Sequence, residues 1–258
     1  MSRLTAPALR RGLDILELFL EPNDGLRVPE ITERLGLPRA TAHELVATLV
    51  DRGYLQAVSE PPSRYVLATN AFRLGAAYER GLDLVSIGRE SATRVAAKCG
   101  ETVQIVIREG AHVIYVVRID STHTIRLVSH VGSRLPAYCT AGGKAMLAAL
   151  PDDQVDALFP ADADLRPMTE NSIDNRERLF SELAGVRKRG WAEENRESNA
   201  DIACVAAPVR DRTGATVAAM SISVPILRWN KAAKARYVEL VLDGARDMSE
   251  NLGALPRA

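Results

Sequence analysis

The sequence predicts an α+β fold in which a small, mainly helical unit precedes a larger unit built on an antiparallel sheet. Two observations indicate this division. Residues 5–67 combine helically spaced apolar residues with a short hairpin, and later segments alternate apolar and polar residues with the period of strands. Between them, residues 68–82 have helical composition. We therefore expect a first unit over 5–67, a linker helix over 68–82 and a second unit over 83–258.

The first expected helix runs from Pro7 to Leu20. Its leucines recur every three or four positions, which is the spacing of one helical face, and the sequence EPNDG that follows favours a break. We expect one row of leucines to form the buried stripe of this helix: Leu9, Leu13, Leu16 and Leu20.

Two more helices follow, separated by a turn. The first of these helices is expected over residues 28–35, the segment VPEITERL. Gly36 and Leu37 form the turn. The next segment extends from Pro38 to Gly53 and has a helically spaced apolar stripe: Ala42, Leu45, Val46, Leu49 and Val50. A helix, a short glycine-containing turn and a second helix are typical of a helix-turn-helix, whose second helix enters the major groove of DNA. A generic helical subdomain is the alternative.

A short hairpin completes the first unit as a predicted winged helix-turn-helix. Segments 54–58 and 64–67 have strand composition and flank the turn sequence SEPPS. Arg39, Thr41 and His43 lie on the polar face of the second helix of the motif and are expected to reach base edges. Arg64 on the wing is expected to contact the DNA backbone or minor groove, and Arg11 a phosphate.

The charge of the first unit bears on how it would bind DNA. The whole chain has a net charge of zero, and residues 1–68 contain eight basic and nine acidic residues. Arg10 and Arg11 nevertheless precede the first acidic residue, and Arg39 and Arg64 fall on the expected contact surface. We expect modest non-specific affinity for DNA and a need for two half-sites, bound by a dimer.

The second unit begins with an expected helix over 87–98. Three segments then alternate with period two, which predicts an antiparallel meander over 103–107, 113–119 and 125–129. In the middle segment the apolar positions are Val113, Tyr115, Val117 and Ile119.

Further helices and strands complete this unit. Asp174 and Glu177 form an acidic variant of the capping box, which opens a helix that ends at Gly190. The other expected elements are a loop over 136–140, helices over 141–150, 152–159 and 231–251, and strands over 202–209 and 216–224.

Several classes of function are not supported by the composition. The chain has no apolar run long enough to span a membrane and no apolar signal core near its N-terminus, so we expect a cytoplasmic protein without a membrane partner. Three scattered cysteines and four histidines lack the spacing of metal ligands, so no metal and no cofactor is expected.

Catalytic motifs are also missing from the pattern. The sequence Gly142-Gly143-Lys144 resembles part of a phosphate-binding loop, but Tyr138 and Ala145 occupy positions that such a loop needs for glycine and for serine or threonine. Cys204 has no adjacent histidine that would activate it. The polar loop over 195–199 is expected to be solvated. No catalytic residue is therefore assigned, although an enzyme that uses Glu194 as a base remains an alternative.

A binding site is better supported than a catalytic one. Ser221 and Ser223 lie two residues apart on an expected strand, so their hydroxyls point to one face and could bind a small polar ligand. Ala141 and Gly142 begin a helix whose free N–H groups could bind a carboxylate. The small side chains of both pairs, Ser221 with Ser223 and Ala141 with Gly142, are equally well explained by close packing of a helix on the sheet without any ligand.

Four stretches together resemble the IclR (isocitrate lyase regulator) family of bacterial transcription factors over essentially the whole length. They are RGLDILELF, ITERLGLPRATAHELVATLVDRGYL, LPAYCTAGGKAMLAAL and VAAPVRDRTGATVAAMSISVP. The resemblance implies a winged helix that binds operator DNA as a dimer, and a GAF-like C-terminal domain that binds a small carboxylate or aromatic metabolite. It also implies dimers that pair into tetramers, and control of a catabolic operon, most simply as a repressor.

The resemblance also implies a set of effector contacts. Carried over to this sequence, they fall on Ala141, Gly142, Glu194, Cys204, Ser221 and Ser223. Of these, Glu194 and Cys204 rest on the resemblance alone, whereas the serines also follow from the strand period. The alternatives are a constitutive DNA-binding regulator with a vestigial pocket, or an enzyme that uses the GAF-like domain.

Overall fold

The computed structural model describes residues 6–20, 24–58, 64–80, 83–123 and 130–254. The chain forms two compact units, Met1–Leu82 and Asp83–Ala258. None of the helices in these described ranges is long and apolar enough to cross a membrane. The expected strand over 125–129 and the wing turn over 59–63 lie outside the described residues.

The first unit contains the helix-turn-helix that the sequence predicts. Gly36 ends the first helix of the motif with a left-handed backbone (φ 62°), and the second begins after Pro38. A two-stranded antiparallel hairpin follows, in which Leu55 pairs with Leu67. The elements are α1 Pro7–Glu17, α2 Val28–Leu35, α3 Arg39–Asp51, β1 Leu55–Ala57, β2 Tyr65–Leu67 and α4 Thr69–Arg80.

The predicted buried stripe of α1 is wrong. Leu9, Leu13 and Leu20 are 64%, 50% and 72% exposed, while Ile15 and Phe19 are buried in the core of the unit. Leu16 is partly buried against that core. The helix ends at Glu17 rather than at Leu20, so Phe19 lies in the turn that follows it. Ile15 packs with residues of α2 and α3, whereas Leu9, Leu13 and Leu20 remain at the surface.

The second unit is built on a six-stranded antiparallel sheet with the order β5-β4-β3-β8-β7-β6. The expected loop over 136–140 contains the end of β5 and one turn of 3-10 helix. The elements are α5 Asp83–Cys99, β3 Thr102–Glu109, β4 His112–Ile119, β5 Arg134–Pro136, α6 Ala141–Ala148, α7 Asp152–Leu158, α8 Arg176–Arg189, β6 Ala192–Asn195, β7 Ile202–Arg210, β8 Thr216–Pro225 and α9 Lys231–Asn251.

Helices cover both faces of the sheet. A side chain on Gly244 of α9 would collide with Met220 of β8, whereas one on Gly142 of α6 would meet the neighbouring residue of that strand, Ala219. Since successive residues of a strand point to opposite faces, α9 and α6 lie on opposite sides. The core on the α6 side includes Val106.

Two local expectations for this unit are wrong. The register of β3 and β4 shifts between Ile105 and Val106, which pair with Val117 and Tyr115. This bulge places Tyr115 on the α6 face and Val117 on the opposite face, so the middle segment does not keep one face throughout.

The cap of α8 is Asn175 rather than Asp174. The Asn175 Oδ1 atom accepts a hydrogen bond from the Arg178 backbone N–H over 2.9 Å. Asp174 instead accepts from the Arg178 guanidinium over 2.8 Å. An amide side chain satisfies the first turn as well as a carboxylate does, so the cap lies one residue later than predicted.

Candidate DNA-binding surface and ligand site

The polar face of α3 is open to solvent. Arg39, His43 and Glu44 are exposed and Thr41 is half-buried. Ala42 and Val46 of the same helix are buried in the core of the unit. Of the three residues expected to reach base edges, Arg39 and His43 are therefore open to solvent, and Thr41 is partly covered.

Arg11 and Arg64 have different surroundings. Arg11 is exposed on α1 and lines a groove of about 340 Å³ beside Gly36 and Leu37, at the turn of the motif. Arg64 is half-buried, and its Nη1 atom donates to the Gly25 carbonyl oxygen. This bond holds the base of the wing to the segment just before α2. Arg64 therefore has a structural contact that the sequence did not indicate.

Four of the predicted effector contacts meet on one face of the sheet. Glu194 pairs with Cys204, and Cys204 pairs with Ser223, so the three are neighbours across β6, β7 and β8. Ser221 lies two residues along β8 and is 4% exposed. All of them share the face that Ala219 presents to α6, because their positions alternate with those facing α9.

The other two, Ala141 and Gly142, form the first turn of α6 against this face. A Cβ on Gly142 would lie 2.5 Å from Val106 Cγ2, so close packing does require glycine there. Thr140 caps the helix by accepting from the Gly143 N–H over 3.1 Å. In the described part of the chain the N–H groups of Ala141 and Gly142 make no backbone hydrogen bond, as expected for a first turn. The start of α6 therefore packs closely on the sheet and still has two N–H groups that can donate to a ligand.

A hydrogen-bonded chain crosses the site. The Cys204 thiol donates to Ser223 Oγ over 3.2 Å, and the Ser223 hydroxyl donates to Gln104 Oε1 over 2.9 Å. Gln104 is 2% exposed on β3. The sequence analysis did not single out this residue, because its alternation with Val103 and Ile105 is equally typical of a side chain that faces solvent.

Glu194 is fully buried and only half satisfied. Its Oε1 atom accepts from the backbone N–H groups of Glu197 (2.7 Å) and Ser198 (3.1 Å). Its Oε2 atom has no hydrogen-bond partner among the described residues. Burial raises the pKa of Glu194 to about 7, against the opposing effects of the Cys204 thiol and the two N–H groups.

The cysteine beside it is a poor nucleophile. Burial, followed by the negative charge of Glu194, raises the pKa of Cys204 well above its ordinary value. A cysteine is reactive as the thiolate, which a high pKa disfavours. Cys204 therefore serves as a hydrogen-bond donor near neutral pH.

A buried ion pair adjoins the site and was missed. Lys144 of α6 is 1% exposed, and its Nζ atom lies 2.7 Å and 2.9 Å from the two carboxylate oxygens of Glu197. The expectation of a solvated loop over 195–199 is wrong for Glu197, because this carboxylate is the partner of a buried lysine. The failed phosphate-loop pattern gave no indication of this role for Lys144.

The described residues contain no group of three or more histidine, cysteine or acidic side chains that could hold a metal ion.

A helix-turn-helix with an exposed polar second helix defines the class of DNA-binding regulators. The buried polar site makes the second unit a candidate ligand-binding unit.

Comparison with known proteins identifies the family. Residues 8–59 match the IclR helix-turn-helix domain, and residues 76–250 match the C-terminal domain of bacterial IclR transcriptional regulators. The chain belongs to the IclR family. It is a DNA-binding transcriptional regulator, and its matched relatives are regulators rather than enzymes.

Three similar proteins illustrate the match. The transcriptional regulator BhcR of Paracoccus denitrificans is 33% identical over 97% of this chain and 88% of its own. The transcriptional repressor IclR of Escherichia coli is 28% identical over 97% and 94%. The crystal structure of a regulator from Rhodococcus sp. RHA1 superposes with a TM-score of 0.82 at 30% identity, over 95% of this chain and 97% of the other.

The raised pKa of Glu194 predicts a pH-dependent stability. A carboxyl whose pKa is higher in the folded than in the unfolded chain favours folding fully at low pH, and this contribution is lost as the pH rises through the folded value, about 7. The free energy of unfolding of the wild type should therefore fall by about 2–3 kcal/mol relative to Glu194→Gln between about pH 5 and 8. Urea unfolding followed by circular dichroism measures the difference.

The matched control is Glu239→Gln, which removes an exposed carboxylate from α9. Its stability curve should run parallel to that of the wild type. Parallel curves for the wild type and Glu194→Gln would contradict the prediction.

Proposed function

We propose that the protein is a cytoplasmic repressor of a catabolic operon. It binds operator DNA as a dimer, and a small carboxylate or aromatic metabolite bound in the second unit controls that binding. The observation that carries the proposal is the pairing of an open polar face on α3 with a buried polar site in the second unit. The repressor role is supported by the relative from Escherichia coli, which is a transcriptional repressor.

The DNA contacts divide into two kinds. Arg39 and His43 are exposed on α3 and Thr41 is half-buried beside them, and these side chains are proposed to contact base edges in the major groove. Arg11, beside the turn of the motif, and Arg64, at the base of the wing, are proposed to contact the DNA backbone. Contacts of the first kind determine sequence preference, and those of the second determine position and salt dependence.

Alanine at Arg39 and at Arg11 should have different effects on operator binding. If Arg39 binds a guanine, Arg39→Ala costs about 1–3 kcal/mol and relaxes preference at one base pair. Arg11→Ala should weaken binding to all sequences and reduce the slope of log K against log salt by about 1. Fluorescence anisotropy on an operator selected in vitro, over a series of salt concentrations, measures both.

Arg246→Ala serves as the charge-matched control, because Arg246 is exposed on α9 of the second unit. It should leave affinity and slope unchanged. Unchanged affinity for Arg39→Ala would remove Arg39 from the contact set.

The dimer is proposed to form through the apolar surface of the first unit. Most of the large apolar side chains that are exposed in the described ranges belong to this unit, and several line a groove of about 660 Å³ between α1, the hairpin and α4. A contiguous apolar surface of this kind is typical of an interface. Its exposed members are Leu13, Leu20, Leu67, Phe72 and Leu74. A dimer of dimers would need a second interface.

Phe72→Glu should dissociate the dimer, because Phe72 is 76% exposed and a carboxylate in an apolar interface would be buried without a partner. Sedimentation equilibrium should show at least a tenfold rise in the dimer dissociation constant, which is about 1.4 kcal/mol. The control is Leu227→Glu on the second unit, where Leu227 is 83% exposed. Dissociation by Leu227→Glu and not by Phe72→Glu would place the interface on the second unit instead.

The effector is proposed to lie between the first turn of α6 and the sheet. The N–H groups of Ala141 and Gly142 would bind its carboxylate, and Ser221 and Ser223 supply hydroxyls on the same face. Binding there changes DNA affinity only if the ligand has different affinities for the free and DNA-bound forms. By the same linkage, operator DNA must change the affinity for the ligand by an equal factor.

A thermal-shift screen of small carboxylic and aromatic acids, including hydroxybenzoates, tests the site. A ligand at one hundred times its dissociation constant should add about 2.7 kcal/mol to the stability of the wild type. Ser221→Leu should abolish that shift, because the larger side chain fills a site whose serine is 4% exposed. Met168→Leu, at an exposed position, is the control. A shift that persists in Ser221→Leu, or no shift across the panel, would favour a constitutive regulator.

A further inference from the structure

Four polar side chains on neighbouring strands, three of them buried and the fourth half-buried, limit which hydrogen-bonding groups a ligand can present to the sheet. We name them the polar row: Gln104 on β3, Ser223 on β8, Cys204 on β7 and Glu194 on β6. The exposed fraction of Gln104, Ser223 and Glu194 is 3% or less. Their hydrogen-bond directions are therefore fixed by each other and by a ligand rather than by bulk water.

The direction of the bonds leaves Ser223 as an acceptor. A serine hydroxyl has one proton and two lone pairs. The proton goes to Gln104 Oε1 over 2.9 Å, and the Cys204 thiol donates to the oxygen over 3.2 Å. The remaining lone pair of Ser223 can only accept a hydrogen bond from a ligand. Since burial raises the pKa of Cys204, the thiol keeps the proton that it donates.

Glu194 supplies a second acceptor on the same row. Its Oε1 atom is held by the N–H groups of Glu197 and Ser198. Its buried Oε2 atom has no hydrogen-bond partner in the ranges that the structure describes. Above its pKa of about 7 the Glu194 carboxylate is ionised and has no proton to donate, so at pH 8 this oxygen also requires a donor from the ligand.

The end of the site at α6 offers hydrogen-bond donors, whereas the polar row offers acceptors. The N–H groups of Ala141 and Gly142 begin α6 and can only donate. A ligand that satisfies both ends carries an anionic group toward α6 and a hydrogen-bond donor toward the polar row. A hydroxylated carboxylic acid has both groups, whereas an oxo acid or an unsubstituted acid has no donor for the second end.

We propose that Gln104 is a positioning residue that sets the specificity of the effector site. By accepting the Ser223 proton it turns the serine into an acceptor, so that the site selects a hydroxylated carboxylate over its oxo or unsubstituted analogue. This inference rests on the proposed effector site, and it adds the chemical class of the ligand and the residue that decides it.

Isothermal titration of the full-length protein at pH 8 with matched pairs of acids tests the inference. The pairs are lactate with pyruvate, and 4-hydroxybenzoate with 4-fluorobenzoate, whose members differ in the donor and little in size. In at least one pair the wild type should bind the hydroxyl member about tenfold or more tightly, since a buried acceptor without a donor costs about 1–3 kcal/mol.

Three variants separate the role of Gln104 from a general structural effect. Gln104→Met frees the Ser223 proton to donate to the ligand, so the preference for the hydroxyl member should fall below about threefold, while the other member binds at least as tightly as before. Gln104→Glu keeps an acceptor oxygen in either protonation state and should retain the preference. Ser223→Ala removes the acceptor itself and should lose the preference even if Gln104→Met does not fold. Circular dichroism establishes which variants fold.

The possible failures are distinguishable. Equal affinity of the wild type for both members of each pair it binds would overturn the inference and leave the effector site intact. Full preference retained in a folded Gln104→Met would overturn the role of Gln104. No binding of any acid to a wild type that still binds its operator would reject the proposed effector class and the inference together.

Discussion

The first turn of α6 can lie on the sheet only because residues 142 and 143 have no side chain. A Cβ on Gly142 would be 2.5 Å from Val106 Cγ2, and one on Gly143 would be 2.3 Å from the Ala137 carbonyl oxygen. Backbone, rather than side chain, therefore meets the strands at this point. The N–H groups at the start of the helix reach the polar face of the sheet, and Lys144, one residue later, is carried fully inside.

Burial of Lys144 in turn orders the segment that holds Glu194. A buried ammonium is tolerated only with a well-placed partner, and both carboxylate oxygens of Glu197 lie within 2.9 Å of its Nζ atom. The hydroxyl of Ser172 donates to the Glu197 carbonyl oxygen over 2.6 Å and fixes the same loop from the other side. The Glu197 N–H then holds Glu194 Oε1. The helix α6, the loop that contains Glu197 and the Glu194 carboxylate are thus joined by continuous contacts.

The sequence predicted elements well where a period repeats over a long segment, as in β7, β8 and α9. The sequence-based predictions failed where two local arrangements fit the pattern equally well and a contact with a residue distant in sequence selects one of them. Apolar residues fall on more than one face of α1, and only packing on α2 and α3 selects Ile15 over Leu13. The bulge in β4 has no marker residue, and the ion pair of Lys144 with Glu197 joins positions 53 residues apart. Gln104 falls on the polar side of the β3 alternation, and only the structure shows that α6 covers this side and that its partner Ser223 lies on a non-consecutive strand.

The protonated state of Cys204 affects how a sensor of this kind returns to its resting state. A thiolate facing a metabolite site would add to aldehydes, quinones and other electrophiles and would retain them as covalent adducts. Burial beside Glu194 keeps the sulfur as a thiol, which reacts slowly with such compounds. In the proposed effector site, occupancy would then follow the concentration of the metabolite in both directions, and the regulator would reset by dissociation without an enzyme that repairs the cysteine.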